Sequence, residues 1–421
     1  MSGQPITMSV LGSSISACHG CGDDPLAQNC WPTRFFMWWN SVFPNPATQI
    51  TNGARRRTDS SYFAFCHSHH LPDETDLVIM DFDTEDRTDD QALEHFELLV
   101  RSILNRHDSP AIIILGHFAP QLQMSHGFNG PEFQHSVVAQ YYDIPHISIK
   151  GPMYEEFLSD PDVYAHNYHV DPVLANPRGH ELLSDILISY FQSQICRGWD
   201  VAMGQAYDVP VTSGQSNKAT DAKGLFGGIR AGGEGMMNGA NNDAGGHPAE
   251  KDSTTGGTSG GFKIPNGRIA SRPWDLPNFK EARPFCVAAD DLINPLPPSL
   301  FYGTGFHVYH PTGGDDNRHY WYSVLPTSKL RVPIKVTAGD VAVYILEEGK
   351  SPEQSSSIEC WVDDNYGGRM RIQNSGTSGV HPKLIVIDHG VSTGPHFVEC
   401  QLMGDDVGPV EPFKILGIFA T

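Results

Sequence analysis

Basic residues are scarce in this sequence. Lysine and arginine together number 28, against 49 aspartates and glutamates, for a formal net charge of −21. A chain so charged repels phosphate backbones and anionic headgroups, which removes nucleic acid and the membrane surface from the expected partners. A neutral or weakly cationic partner fits better, and sugars are one such class. Long apolar runs are also missing. No stretch reaches the roughly 18 apolar residues a membrane span needs, so none is expected in this chain. Met1 to Thr7 has neither a basic n-region nor an apolar h-region and is not a signal peptide. No Asn-x-Ser/Thr sequon occurs, so glycosylation leaves the compartment undetermined. Cysteines number 8, and they are widely spaced. CxxC occurs once, at Cys18 and Cys21, with no second pair to complete a zinc site; neither a metal nor a cofactor is expected. Buried thiols and disulfides are both open. Cys360 and Cys400, in two strand-like runs of one region, are the first candidates for a bridge.

The chain divides by pattern. Up to residue 198, short apolar runs alternate with helical periodicity. "MSVLG", "DLVIMDF", "AIIIL" and "PHISI" are strand-like. "DDQALEHFELLVRSILNR" and "NPRGHELLSDILISYFQSQI" are amphipathic helices, and "WPTRFFMWWNSVF" opens with a proline suited to a first helical turn. Alternating strands and helices predict a three-layer α/β domain with a parallel sheet. Residues 199–282 change character: glycines crowd among Ser, Thr, Asn and Asp, and so little apolar surface cannot offset ordering entropy. A flexible linker is expected there, loosest over 230–262, with "GLFGGIR" as one short docked piece. From 283 to 421 the runs are strand-like, separated by Gly, Pro, Asn and Asp turns, which predicts an all-β sandwich or jelly roll.

Ser14 follows the first strand within Gly12-Ser13-Ser14. A serine there is ordinarily a helix cap. Three other stretches give it company: Asn52-Gly53 after the second apolar patch, Asp83-Thr84-Glu85-Asp86 after the third strand, and Asp171-Pro172-Val173-Leu174-Ala175-Asn176-Pro177-Arg178-Gly179-His180 at the opening of the last helix. In that order and at those places the first half resembles the SGNH (GDSL-type) hydrolase superfamily, whose blocks read G-D-S, G, G-x-N-D and D-x-x-H-P-N-x-x-G-H. That resemblance covers roughly residues 5 to 198; with "ECWVDDNYGG" and "FKILGIFAT", most of the chain is similar to fungal SGNH-type proteins that carry a C-terminal β domain. The resemblance implies an SGNH, flavodoxin-like sheet, a secretory or extracellular setting, and acyl-ester hydrolysis or acyl transfer on acylated carbohydrate or another acylated small molecule. Ser14 would be the nucleophile and Asp171 the partner of a catalytic histidine. Gly53 and the residue at position 85 would supply the oxyanion site.

Two positions depart from that pattern. Leu174 stands where the histidine belongs, and leucine takes no proton; loss of a triad base can lower the rate by about a millionfold. Glu85 stands where the asparagine belongs, and a carboxylate offers an oxyanion no donor. Removing one such donor alone costs roughly 100- to 1000-fold. His169 and His180 are the nearest histidines in sequence that could replace the base, and His19 and the run His67 to His70 are further ones. Asp81, Asp83, Glu85 and Asp86 form either a solvated acidic loop at a helix N-terminus or an acid/base pair. In the β region, Trp361, Asp363, Asp364 and Tyr366 crowd one stretch, with an aromatic and polar make-up suited to gripping a sugar, or to packing a core. Two readings follow. One is an SGNH-type esterase or acyltransferase working through Ser14. The other is a pseudoenzyme that keeps the fold without the base and binds carbohydrate or scaffolds polysaccharide assembly.

Overall fold

The structure is a computed structural model that describes residues 3–22, 24–204, 264–289, 302–311, 318–348, 351–376, 379–404 and 408–421. The stretch expected to be loosest, 230–262, and the "GLFGGIR" piece lie outside the described residues. The chain falls into two compact units, residues 1–195 with 264–421, and residues 196–263.

The first half of the first unit is a parallel sheet of β1 (Thr7–Gly12), β2 (Gln49–Asn52), β3 (Leu77–Asp81), β4 (Ala111–Gly116) and β5 (His146–Ser148), in the order β2-β1-β3-β4-β5. Both faces are covered. Alternation along each strand sends Met8, Val10, Leu77, Ile79, Ile113 and Leu115 to one face, with Trp31 and Phe35 of α1 (Trp31–Val42) and Leu183 and Leu187 of α8 (Pro177–Ala202). It sends Leu11, Val78, Met80, Ile112 and Ile114 to the other, with α2 (Ser60–Cys66), α3 (Asp90–Leu104) and α5 (Pro131–Tyr142). Three further helices, α4 (Pro120–His126), α6 (Lys150–Ser159) and α7 (Pro161–Tyr168), complete this half. Asp59 caps α2 by accepting from Tyr62 N, and Asp89 caps α3 by accepting from Ala92 N.

The C-terminal region consists of antiparallel strands: β6 (Phe285–Ala288), β7 (Tyr302–Thr304), β8 (His307–Tyr309), β9 (Tyr320–Ser323), β10 (Lys329–Val336), β11 (Val341–Glu347), β12 (Ser357–Val362), β13 (Met370–Gln373), β14 (His381–Asp388), β15 (Gly394–Met403) and β16 (Phe413–Ala420). They make two sheets, β13-β12-β15-β10-β7 and β14-β11-β16-β9-β8, with β6 on β16. The sandwich core holds Leu330, Val332, Val343, Ile345, Ile358 and Val398. Strand β11 is buried on both faces, which is why "VAVYIL" is a continuous apolar run. Val341, Val343 and Ile345 face the sandwich core, whereas Ala342, Tyr344 and Leu346 face α2 and α3. One apolar core is therefore shared by the parallel-sheet half and the β region, and α2 lends it Tyr62 to Cys66.

Disulfides join Cys18 to Cys30, Cys66 to Cys286 and Cys360 to Cys400. The second ties the end of α2 to β6. The third links directly opposed residues of neighbouring strands in one sheet. Cys21 and Cys196 remain thiols.

Residues 264–282, assigned to the linker by composition, are instead packed against α3. The reason is Arg101, a fully buried guanidinium. It donates to Pro265 O at 3.1 Å, Gly267 O at 2.7 Å and Tyr142 Oη at 3.0 Å, and pairs with Glu281. Glu97 accepts from Ile269 N at 2.7 Å beside it. Sequence hid these contacts because on the segment side they are mostly main-chain groups, Pro265 O, Gly267 O and Ile269 N. Removing a buried partner leaves its carboxylate and carbonyls unsatisfied, at about 3 kcal/mol. Arg101→Ala is expected to lower the unfolding free energy in urea by about that amount, and to open 264–282 to proteolytic cuts that wild type resists in that segment.

Candidate active site

The order β2-β1-β3-β4-β5 places a topological switch point between β1 and β3, where ligands of doubly wound sheets sit beyond the strand ends. Both segments singled out in the sequence emerge there. Gly12 ends β1 with so little room that a β-carbon would lie 2.7 Å from Asp81 O and 2.7 Å from the Ser16 Cβ, so the two chains part side by side. Ser14 follows on one and Glu85 on the other.

The structure brings these two together. The Ser14 hydroxyl donates to Glu85 Oε1 at 2.7 Å and accepts from Arg57 N at 2.9 Å. Among the described residues no hydrogen bond joins it to a histidine. Ser14 is buried. Burial pushes the Glu85 carboxyl above its ordinary range, opposed by the Ser14 hydroxyl and by the charges of Arg318 and Arg57. Arg318 comes from the β region and donates to Arg57 O at 2.6 Å and Arg56 O at 3.2 Å. It thereby holds the peptide that contacts Ser14. Glu85 and Arg57 also line a cleft of about 190 Å³, closed on the far side by Tyr344, Glu347, His381, Pro382 and Lys383 of the β region.

The other expected residues are placed differently. Gly53 lies at the end of β2 and its N–H donates to Val10 O at 2.9 Å, so it is committed to the sheet rather than to an oxyanion. A β-carbon there would lie 2.2 Å from His70 O, so close packing requires the glycine. Asp171 is exposed, and its Oδ1 accepts from Val173 N at 2.8 Å and Leu174 N at 2.7 Å, an Asx turn with no imidazole to orient. Leu174 is half-buried in the apolar cluster of α1 and α8. His169 Nε2 bonds Phe118 O at 2.9 Å, and His180 is fully buried with Nδ1 3.4 Å from Trp31 N. Burial lowers the pKa of both, that of His180 to about 4, and each is bonded away from the Ser14 hydroxyl. Of the run His67 to His70, His70 Nε2 meets Tyr62 Oη at 2.8 Å. Among the described residues no cluster of three His, Cys, Asp or Glu groups is arranged to hold a metal.

The acidic loop is buried, against the expectation of a solvated one. Its compensation is His135 on α5, which sequence reading missed: Nδ1 lies 2.6 Å from Asp83 Oδ1 and Nε2 lies 2.8 Å from Asp86 Oδ2. Asp83 also accepts from His117 N and Asp86 from Ser60 N, while Asp81 accepts from Ser16 Oγ. Burial alone would lower the His135 pKa, but the bonds to the two carboxylates overturn it and raise it to about 10. Burial lifts Asp81 to about 7, and burial with the charge of Asp86 lifts Asp59 to about 7.

In the β region, Trp361 is 4% exposed beneath the Tyr366 ring, with centroids 5.3 Å apart, and Lys329 Nζ lies 5.6 Å from its centroid. Asp363 is held by His396 Nδ1 at 2.6 Å and Phe397 N at 3.0 Å. Of the four residues named in sequence, Asp364 and Tyr366 are exposed and Trp361 is covered.

No protein-family model matches the chain, and no curated protein matches it in sequence. In structure it is similar to a two-domain esterase active on acetylated mannans. The TM-score is 0.63 at 16% identity, over 99% of this chain and 91% of that one. The same esterase co-crystallised with mannopentaose gives 0.62 at 16% identity, over 100% and 91%. The α/β sheet followed by C-terminal antiparallel sheets is the fold the two chains share.

The pKa of His135 is higher folded than unfolded, so its stabilisation is complete below about pH 6.5 and disappears as pH rises through 10. Stability to urea is therefore expected to fall between pH 7 and pH 10. His135→Gln removes the charge, lowers stability at pH 7 by about 3–5 kcal/mol through two unpaired buried carboxylates, and flattens that alkaline slope. Titration of the urea midpoint against pH for both proteins measures it.

Proposed function

We propose that this chain is an SGNH-type carbohydrate-esterase relative that recognises acylated carbohydrate and in which Ser14 lacks the base that ester hydrolysis requires. The observation that carries the reading is the hydrogen bonding of Ser14, which meets a carboxylate and a main-chain N–H and no imidazole. The block order at the exits of β1 and β3 and at the start of α8 supports the SGNH assignment. The acidic surface and the fold likeness to an esterase active on acetylated mannans support a neutral acylated glycan as ligand. The three disulfides support an oxidising compartment, and the change of pattern near residue 283 supports treating the β region as a C-terminal domain.

The chemistry explains the loss. Attack by the Ser14 oxygen on an ester carbonyl forms a C–O bond as the hydroxyl proton leaves. The proton must then be returned to the departing alkoxide. An imidazole does both near neutral pH. Asp171 has none to orient, because Leu174 fills that position and Asp171 caps its own turn. The tetrahedral oxyanion would further meet Glu85, a carboxyl group, where an amide donor is needed; at about 4 Å two negative charges repel by about 4 kcal/mol at an effective dielectric of 20.

A second reading rests on the same 2.7 Å contact: Glu85, its pKa lifted by burial, takes the Ser14 proton itself.

Wild type, Ser14→Ala, Glu85→Gln and the double variant Glu85→Asn with Leu174→His are to be assayed on acetylated mannan and on 4-nitrophenyl acetate. Wild type and Ser14→Ala are expected at the same background rate. The double variant should gain at least about tenfold in a Ser14-dependent manner, less than a full triad because such groups act as a unit. Wild-type turnover that both Ser14→Ala and Glu85→Gln abolish contradicts the first reading and establishes the second.

A further inference from the structure

The segment 264–282 is pinned at both ends. Arg101 and Glu97 hold Pro265, Gly267 and Ile269, and Arg101 pairs with Glu281. Between these anchors Arg272 N bonds Asp275 Oδ2 at 2.7 Å and Arg268 N bonds Ser271 Oγ at 2.9 Å, which fixes the turn that carries Trp274. The turn presents Trp274 to solvent: the side chain is 73% exposed, against 53% for Trp199 on the long helix α8, whereas Trp31, Trp321 and Trp361 are buried. An indole left bare on a rigidly held turn is not explained by folding, since burying it would have been favourable.

Trp274 stands at the wall of a cleft of about 690 Å³ formed by this segment and the loops at one end of the β sandwich. Phe279, with the Arg101 guanidinium 4.9 Å from its centroid, is a second aromatic in that wall. The charged residues of the lining are Arg268, Lys280, Asp275 and Asp340, two of each sign. Hydroxyls come from Ser271, Thr337, Ser392 and Thr393. None of these residues lines the cleft beside Ser14.

We propose that this cleft is a second binding site, for a neutral oligosaccharide, with Trp274 as its stacking platform. A sugar ring offers an apolar C–H face to the indole and hydroxyls to the carboxylates, cations and main-chain groups around it. The balanced charge selects against an anionic or cationic ligand, and an overall charge of −21 works against polyanions. Because the platform is fixed before binding, ordering it costs the complex little. The inference is independent of how Ser14 is read: a non-acylated glycan bound here needs neither Glu85 nor a nucleophile.

The test uses the full chain and a panel of unmodified hexaoses of mannose, glucose, xylose and N-acetylglucosamine, with polygalacturonate as the anionic comparison, followed by isothermal titration and tryptophan fluorescence. At least one neutral hexaose is expected to bind and perturb the emission. Trp274→Ala should weaken that binding at least tenfold and Trp274→Phe should restore part of it, with melting temperatures unchanged because the residue is exposed. Three results would overturn the proposal: no hexaose binding at millimolar concentration, binding unaffected by Trp274→Ala, or a preference for polygalacturonate.

Discussion

One buried imidazole holds the switch-point loop together. His135 sits between Asp83 and Asp86 and stacks on Phe96 with centroids 4.0 Å apart. Two carboxylates buried without a cation would repel each other and carry a large desolvation cost. With the imidazolium between them they become anchors. Asp83 takes the amide of His117 at the end of β4, and Asp86 takes the amide of Ser60 at the start of α2. Glu85, one of the two residues between them in sequence, is thereby held beside Ser14. The position of the acidic loop, the start of α2 and the environment of the serine all depend on this one triad.

The same constraint shows how Glu85 and Leu174 are accommodated by the fold. Glu85 is satisfied by the Ser14 hydroxyl and by the nearby charges of Arg57 and Arg318. Leu174 joins an apolar cluster, and Asp171 is satisfied by main-chain amides. Glu85, Asp171 and Leu174 therefore each have a partner suited to their chemistry. The β region takes part as well, because Arg318 fixes the Arg56 and Arg57 carbonyls and β11 buries one face against α2.

Much of the fold was legible in sequence because it rests on periodicity. The strand runs at 76–82 and 111–115, the amphipathic α3 and α8, and the change to short strands in the C-terminal region each express a repeating local pattern. The meeting of Ser14 with Glu85 was legible because both follow strands that neighbour in a doubly wound sheet. What sequence could not give are contacts closed over long separations by single residues. His135 is an isolated histidine in "EFQHSVV", with nothing local to pair it with a loop some 50 residues earlier. Arg101 looks like a surface arginine near a helix end until the main-chain carbonyls of 265 and 267 are in place. Trp361 follows the core-packing reading of its stretch, and Trp274 was not singled out in sequence. The aromatic-rich stretch around Trp361 covers its own indole, while the segment 264–282, read as linker, carries the exposed Trp274.

The central claim is that Ser14 keeps a nucleophile's place without a nucleophile's activation. Reaction of the intact protein with a fluorophosphonate, which phosphonylates only serines whose proton is drawn off as the bond to phosphorus forms and fluoride leaves, tests that claim most directly. An unchanged mass after hours at pH 7.5, with an active serine esterase labelled fully alongside, is the predicted result. A single stoichiometric adduct mapped to Ser14 would contradict it.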